Sequence, residues 1–294
     1  MAYETILYEK KGRIAVITLN RPDKYNTIRP PMPDEIDQAI GCANNDGEVS
    51  VIILQGAGKS FCGGFDFSGG LQHFESYGIS ADPAKYDPGM DMMMSLNPHA
   101  GPTQRFMSIW RSPKPVVVKV QGWCVGGGSE YALLGDIVIA ADDARFGTPY
   151  SRVWGCHLTG IWIYRLGLAR AKHYALTGRS ISGKEAAEVG LVNFSYPAER
   201  LDAEVWDYAE KLAQIPVTQL AAMKFVTNQV FERMGLEHTA QLGPILDGIM
   251  RRTPEAREFV RTAKEQGVGA AIEKRDGPFA DYSQGDASQK PKIY

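Results

Sequence analysis

The segment that decides the fold is KPVVVKVQGWCVGGGSEYALLGDIVIAADDARFGTP, residues 114–149. Two short, almost wholly apolar runs in it, KPVVVKVQG and DIVIAAD, have the pattern of strands buried on both faces. Between them, three consecutive glycines, Gly126–Gly128, precede Ser129, Glu130 and an apolar pattern with helical spacing. The segment therefore predicts a strand, a glycine-rich turn, a helix and a second strand.

The glycine run indicates a place where the backbone approaches another group closely, because glycine has no β-carbon. The first N–H groups of a helix lack a partner within it and can hold an anion or a developing oxyanion. A second glycine-rich stretch, GKSFCGGFDFSGG at residues 58–70, follows the predicted strand VSVIILQG and offers N–H groups around Gly63, Gly64 and Phe65. Two such donors meeting on one oxygen would form an oxyanion hole. For a glycine run alone, close helix–strand packing is the alternative.

Composition indicates an ordinary globular protein. The 294 residues, 44% hydrophobic and 22% charged, suffice for one large domain or one domain with an appendage. A net charge of -2 gives no reason to expect nucleic-acid binding. No secretory leader is visible and no run of about 18 apolar residues occurs, so we expect a cytoplasmic protein without membrane contact. The four cysteines form no CxxC pair, and we expect free thiols and no metal site.

Predicted strands and helices alternate in the first half of the chain, which is typical of an α/β fold. From about Gly160 onward the patterns are helical, and helix caps are predicted at Ser182 and Thr253. We expect an α/β core at 1–200 with a loop insertion at 66–105, a helical oligomerisation region at 201–275, and a flexible tail at 276–294.

Five stretches occur together in one order along most of the chain: TLNRPDKYNT, SFCGGFDF, the segment quoted first, ALTGRSISGKEAAEVGLVN and AAIEKRDGPF. In this combination the sequence resembles the crotonase (enoyl-CoA hydratase/isomerase) superfamily. The resemblance implies a ββα spiral core, a C-terminal α-helical trimerisation region, and a homotrimer or a dimer of trimers. It also implies an acyl-CoA substrate, with coenzyme A as part of the thioester and no separately bound cofactor. The thioester oxygen would lie between the backbone N–H groups of Phe65 and Gly127.

The same resemblance places coenzyme A near the RPDKYN and FCGGFD loops. Basic side chains there would offer positive charge to the phosphates, and solvated surface charge is the alternative. Glu273–Arg275 of a neighbouring subunit would add to this site. The residues expected to bind coenzyme A are Arg21, Lys24, Gly63, Gly64 and Asp66.

Glu130 matches the first of two catalytic glutamates in hydratases of this family, where paired carboxylates handle the water and the proton. The second glutamate follows an FGxP motif, and that position is Tyr150 here. A tyrosine has an ordinary pKa near 10 and is no carboxylate base at neutral pH, but it can donate a hydrogen bond or orient water. We predict Glu130 and Tyr150 as catalytic residues, and Asp66 and His157 remain candidates to substitute. Without the resemblance, Glu130 is an ordinary acid at a helix N-terminus.

The expected function is therefore an enoyl-CoA hydratase that uses Glu130 as acid and base. The alternatives are an enoyl-CoA isomerase, a hydrolase or dehydratase of an unusual bulky acyl-CoA, and a catalytically silent CoA-binding scaffold. Flexible methionines adapt to irregular apolar ligands, which favours a wide acyl pocket. The side chains predicted to line it are Phe65, Phe67, Met90, Met92–Met94, Phe106 and Trp110.

Overall fold

The computed structural model describes residues 3–69, 71–77, 80, 87–97 and 99–282 of the chain. Within these residues the strands are β1 Ile6–Lys11, β2 Ile14–Leu19, β3 Val51–Gly56, β4 Val116–Val120, β5 Trp123–Val125, β6 Ile137–Ala141, β7 Arg145–Gly147, β8 Ile181–Ser182 and β9 Phe194–Tyr196. The helices are α1 Met32–Asn45, α2 Pro88–Leu96, α3 Pro102–Arg111, α4 Gly127–Leu133, α5 Ile161–Leu166, α6 Leu168–Thr177, α7 Gly183–Glu188, α8 Ala198–Ala213, α9 Val217–Arg233, α10 Leu236–Met250, α11 Pro254–Gln266 and α12 Val268–Asp276. Short 3-10 turns cover Pro22–Lys24, Gln72–Tyr77, Pro149–Arg152 and Gly277–Phe279.

The strands form two sheets. A six-stranded sheet has the order β1-β2-β3-β4-β6-β9, in which β1 and β2 are antiparallel and all other neighbours are parallel. A three-stranded sheet has the order β5-β7-β8. The apolar runs of β3 and β4 are buried on both faces, as parallel strands covered on both sides require. The expected α/β class is confirmed.

The chain passes twice from the large sheet to the small one, from β4 into β5 and from β6 into β7. The first passage bends at Gly122, which has a φ of 56°. A β-carbon built on Gly122 would lie 2.0 Å from the carbonyl oxygen of Lys59, so the bend requires glycine. As a result, β5 ends directly before the glycine run.

The helical second half also follows the predicted pattern. The Ser182 side chain caps α7 by accepting the Glu185 N–H, and Thr253 caps α11 by accepting the Ala256 N–H. The side chain of Lys224 on α9 reaches into the core, where its Nζ lies 2.8 Å from Asp136 Oδ2. This ion pair ties the helical region to the segment that follows α4.

Two expected segments are partly described. The insertion expected at 66–105 contains the turn Gln72–Tyr77 and α2, whereas residues 70, 78, 79, 81–86 and 98 lie outside the described part. At the other end, Asp276, Asp281 and Tyr282 are buried, so the described chain stays packed through the first residues of the expected tail. Residues 283–294 lie outside the described part.

Candidate active site

The three consecutive glycines bring the start of α4 against the second glycine-rich loop. Gly126 has a φ of 55°, which lets the chain turn from β5 into α4. A β-carbon built on Gly127 would lie 2.6 Å from Cε2 of Phe65, and one built on Gly128 would lie 2.7 Å from the Cys62 carbonyl oxygen. The glycines are therefore needed because the two loops are in direct contact.

Two backbone N–H groups are left free where these loops meet. In an isolated parallel bridge, Ile28 donates to Gly64 O at 2.8 Å and accepts from Asp66 N at 2.9 Å. The residues flanking Phe65 make both bonds, so the N–H of Phe65 itself points away from Ile28. Gly127 is the first residue of α4, and its N–H has no acceptor within the helix. Within the described residues, neither the Phe65 nor the Gly127 N–H donates to a protein acceptor.

The carboxylate of Glu130 is completely buried and is surrounded by donors. Oε1 accepts from the Leu158 N–H at 2.7 Å and from the Tyr150 hydroxyl at 3.1 Å. Oε2 accepts from the Thr159 N–H at 2.6 Å and from the Thr159 hydroxyl at 2.7 Å. These four donors stabilise a charge that burial alone would disfavour. Glu130 itself does not line the adjacent cavity.

Tyr150 stands between Glu130 and that cavity. It lies in the turn Pro149–Arg152, and its side chain forms part of the cavity wall. A β-carbon built on Gly126 would lie 3.8 Å from the Tyr150 hydroxyl oxygen, so the hydroxyl is next to the glycine turn. Burial raises the pKa of Tyr150 well above its ordinary value, and the negative charge of Glu130 adds to this effect. The hydroxyl is therefore a neutral donor at physiological pH.

His157 completes this group of side chains. Its Nδ1 lies 3.8 Å from Glu130 Oε1, and its ring meets that of Tyr150 edge-on with centroids 5.9 Å apart. Both ring nitrogens are buried, and neither has a hydrogen-bond partner among the described residues. Burial lowers the pKa of His157 below its ordinary value, although the charge of Glu130 opposes the shift. The fold therefore holds His157 neutral.

We expect His157 to make the protein less stable in acid. A folded-state pKa below the unfolded value means that the unfolded chain binds more protons, so stability falls as the pH drops below about 6.5. The His157→Gln variant lacks this proton uptake, and its free energy of unfolding should fall less between pH 7.5 and pH 5.5 than that of the parent. Urea denaturation at both pH values measures the difference. Equal losses in the two proteins would contradict the prediction.

A cavity of about 720 Å³ runs past these groups. Four of the five residues expected to bind coenzyme A line it. Among them, the Asp66 carboxylate accepts hydrogen bonds from Ser68 and Arg21. Burial alone would raise the pKa of Asp66, but these hydrogen bonds lower it. Asp66 is therefore better suited to be a fixed anion than a proton carrier. The predicted residues that the structure brings together along this cavity are Lys24, Gly63, Gly64, Phe65, Asp66, Gly127 and Tyr150.

Arg21 differs from the expectation because it does not line the cavity. Its guanidinium turns inward, where Nη2 lies 2.8 Å from Asp66 Oδ2 and Nη1 donates to the Thr27 carbonyl. Both side chains of this ion pair are mostly buried. Arg21 therefore holds the two loops together, and its charge is already matched by Asp66.

The predicted acyl-pocket side chains also separate into two groups. Phe65, Phe67 and Met94 line the cavity. Phe106 and Trp110 do not, because α3 turns them into the core, where Phe106 stacks on Tyr131 and Trp110 on Phe231. The other methionines of the cluster, Met90, Met92 and Met93, are exposed on the outer face of α2.

Sequence reasoning missed three charged residues that also line the cavity. They are Asp91 on α2, Asp247 on α10 and Arg251 directly after α10. Arg251 Nη2 lies 3.1 Å from Asp91 Oδ2, and Arg251 Nε lies 3.1 Å from Asp247 Oδ2. The only local signal was the four-residue spacing of Asp247 and Arg251, which is common on any exposed helix.

The described residues lack the features of two other classes of site. No described helix combines the length and apolar character needed to cross a membrane. Across the same residues, no three His, Cys, Asp or Glu side chains come together in an arrangement that would hold a metal ion. The cytoplasmic location stays a prediction.

Comparison with known proteins assigns the chain to a protein family. Residues 9–282 match the family model described as enoyl-CoA hydratase/isomerase. The chain is 30% identical over 287 residues to a probable enoyl-CoA hydratase of Rhodobacter capsulatus, covering 95% of this chain and 99% of that protein. It is 29% identical over 270 residues to a probable mitochondrial enoyl-CoA hydratase of Dictyostelium discoideum, covering 91% of this chain and 87% of that protein.

Solved structures agree. An enoyl-CoA hydratase from Mycobacterium smegmatis matches with a TM-score of 0.88 and 37% identity over 98% of both chains. An enoyl-CoA hydratase/isomerase from Xanthobacter autotrophicus Py2 matches with a TM-score of 0.79 and 30% identity, covering 95% of this chain and 99% of that one. The sheet core with C-terminal helices is thus the crotonase fold, and the chain belongs to the enoyl-CoA hydratase/isomerase family.

Proposed function

We propose that this protein adds water to the double bond of a 2-enoyl-CoA thioester. The observation that carries the proposal is the 3.1 Å hydrogen bond from the Tyr150 hydroxyl to Glu130 Oε1, directly beside the glycine turn. This bond connects a buried proton acceptor to the cavity wall. It does so at the place where two free backbone N–H groups lie close together.

In the proposed reaction the thioester oxygen accepts hydrogen bonds from the Phe65 and Gly127 N–H groups. When water attacks Cβ, a C–O bond forms and the electron pair of the double bond moves toward the thioester, which gives an enolate. Fixed donors aimed at that oxygen stabilise the new negative charge, and losing one donor typically costs about 10²–10³ in rate. The contact between Gly127 and the Phe65 ring supports this placement, because it keeps the two loops in fixed register.

Tyr150 and Glu130 carry the proton in this scheme. The attacking water gives a proton to the Tyr150 oxygen while the Tyr150 proton moves along the existing hydrogen bond to Glu130. The proton then returns by the same path to Cα of the enolate, so atoms and charge balance over one cycle. Glu130 thus acts as acid and base through Tyr150. The complete burial of Glu130 supports this route.

We propose that coenzyme A binds where Lys24, Gly63, Gly64 and Asp66 line the cavity. The ammonium group of Lys24 offers a point charge to phosphate, and the two glycines allow close backbone approach. Arg21 supports this loop through Asp66 rather than binding phosphate itself.

The helical region is proposed to form a homotrimer or a dimer of trimers. On α9 the exposed apolar side chains Phe225, Val226 and Val230 are 58–68% accessible, while Lys224 is the one residue of that helix that is buried. A helix whose apolar side chains face outward requires a partner surface. Light scattering coupled to gel filtration tests the subunit number.

Product mass tests the activity. The protein is incubated in D₂O with short, long, branched and ring-bearing 2-enoyl-CoAs, and the molecular masses of the products are measured. Gain of one water supports the hydratase. Deuterium gained without water would identify an isomerase, a second candidate favoured by the absence of a carboxylate at position 150. Free coenzyme A would indicate a hydrolase, and binding without any change would indicate a silent scaffold. Each of these last three results would overturn the proposed hydratase activity.

We expect Gly127→Ala to lower kcat/KM by about tenfold to hundredfold. The added methyl group would lie 2.6 Å from Cε2 of Phe65, so the ring must move and shift the nearby N–H donor. Steady-state kinetics on the best substrate of the panel measures the loss. Gly41→Ala on α1 is the matched control, because a β-carbon built there meets no atom within 4 Å and Gly41 does not line the cavity. Equal kinetics in both variants would remove Phe65 and Gly127 from the reaction.

A further inference from the structure

The wall of the cavity holds a charged cluster that the proposed reaction does not use. We call Asp91, Asp247 and Arg251 the inner cluster. The Asp91 and Arg251 side chains are 5% and 6% exposed, whereas that of Asp247 is 21% exposed. All three line the cavity, and α2 packs directly on α10. The cavity wall therefore carries buried charge as well as apolar side chains.

Asp247 presents an available acceptor within this cluster. Its Oδ2 accepts from Arg251 Nε at 3.1 Å, while Oδ1 accepts from no donor among the described residues. The neighbouring polar groups are already engaged: the Ser95 hydroxyl donates to the Asp91 carbonyl, and the Gln104 amide donates to the Ala240 carbonyl. Asp247 Oδ1 is thus an acceptor that remains available to a ligand.

The electrostatic balance of the cluster favours a donor over an acceptor. Among the described residues, the carboxylates of Asp91 and Asp247 both pair with the Arg251 guanidinium, and the charge of Glu130 also acts on Asp247. Burial raises the pKa of Asp247, Arg251 opposes the shift, and Asp91 and Glu130 add to it. A hydroxyl or ammonium group placed against Oδ1 would compensate this charge, whereas an anionic group would be repelled by both carboxylates.

The position of Asp247 relative to the reacting atoms follows from Tyr150. The hydroxyl end of Tyr150 is 3.8 Å from a β-carbon built on Gly126, beside the proposed thioester site. A β-carbon built on Gly155 would lie 2.8 Å from Asp247 Oδ1 and 3.3 Å from Cδ1 of the Tyr150 ring. Oδ1 therefore lies beside the Cδ1 edge of the Tyr150 ring, whose hydroxyl end is next to the glycine turn.

We infer that the acyl group of the substrate carries a hydrogen-bond donor, a hydroxyl or an ammonium group, and that Asp247 Oδ1 receives it beside the Tyr150 ring. This inference rests on the proposed function. An unsubstituted alkyl chain would strip water from the carboxylate without replacing its hydrogen bonds, and sites with buried polar groups reject such ligands.

The test compares acyl-CoAs of equal length that end in a hydroxyl, an amino or a methyl group. For the parent protein we expect kcat/KM to favour one of the donor-bearing 2-enoyl-CoAs by about tenfold to hundredfold over the methyl form. For Asp247→Leu we expect this preference to disappear or reverse. Asp207→Asn on the exposed side of α8 is the control and should keep it.

Binding of the saturated acyl-CoAs, measured by calorimetry, gives the same comparison without turnover. If no enoyl-CoA reacts but the donor preference in Kd persists and is lost in Asp247→Leu, the proposed reaction fails and this inference stands. Equal affinity for all three ends in the parent protein would overturn the inference. So would an equal loss of kcat on every substrate in Asp247→Asn with Kd unchanged, because Asp247 would then be a proton-transfer group.

Discussion

Glu130→Gln is expected to lower kcat/KM by about 10³-fold, because the proposed proton acceptor is lost. The carboxylate accepts four hydrogen bonds, two on each oxygen. A glutamine amide would set its NH₂ group against two of those donors, so we also expect a loss of about 1–3 kcal/mol in the free energy of unfolding. Steady-state kinetics and urea denaturation measure the two effects separately.

Tyr150→Phe is the companion variant, since it removes one donor and leaves the other three on Glu130. If Tyr150 carries the proton between substrate and Glu130, Glu130→Gln, Tyr150→Phe and the double variant should be slowed to a similar degree, because residues that act as a unit are not additive. Independent losses that multiply in the double variant would show that the two residues act separately. Unchanged turnover in Glu130→Gln would remove Glu130 from the mechanism.

Arg152→Met is expected to lower the free energy of unfolding by about 3–5 kcal/mol, which corresponds to a fall of about 10 °C in Tm. The guanidinium lies 3.1 Å from Asp276 Oδ1 and 3.1 Å from Asp281 Oδ2. The three side chains are at most 3% exposed. Methionine would fill the space, but the buried Asp281 would lose its ion-pair partner and Asp276 would keep only Arg275. Chemical denaturation followed by circular dichroism measures the change.

Lys211→Met provides the control for this prediction. Lys211 pairs with Asp207 on the surface of α8, where the two side chains are 71% and 57% exposed, so solvent already screens the pair. We expect no measurable change in its unfolding curve. An Arg152→Met protein as stable as this control would mean that water reaches the carboxylates of Asp276 and Asp281.

Much of the fold was predictable because it depends on local pattern. The uninterrupted apolar run of β4 and the caps at Ser182 and Thr253 act within a few residues, and the structure confirms each of them. The glycine run belongs to the same class, since three adjacent residues without a β-carbon already indicate a close approach. What it approaches, the Phe65 and Cys62 loop, also follows a predicted strand.

The inner cluster and the donors around Glu130 were not predictable, because they depend on which elements pack together. Asp91 and Arg251 are separated by 160 residues, and only the packing of α2 on α10 makes them neighbours. The donors that surround Glu130 come from backbone N–H groups at Leu158 and Thr159, which every sequence offers at every position. The direction of Phe106 likewise depends on how α3 rotates against the sheet.

The bond between Arg152 and Asp276 also has a consequence for how the protein is made. The turn that presents Tyr150 is translated long before its anchor, since 124 residues separate the two partners. A ribosome adds about 5–20 residues per second and domains tend to fold as the chain emerges, so the sheets can form while this turn is still unanchored. The turn that carries Tyr150 is therefore anchored among the last steps of biosynthesis, and a chain released before Asp276 is made would have both sheets but a turn without this anchor.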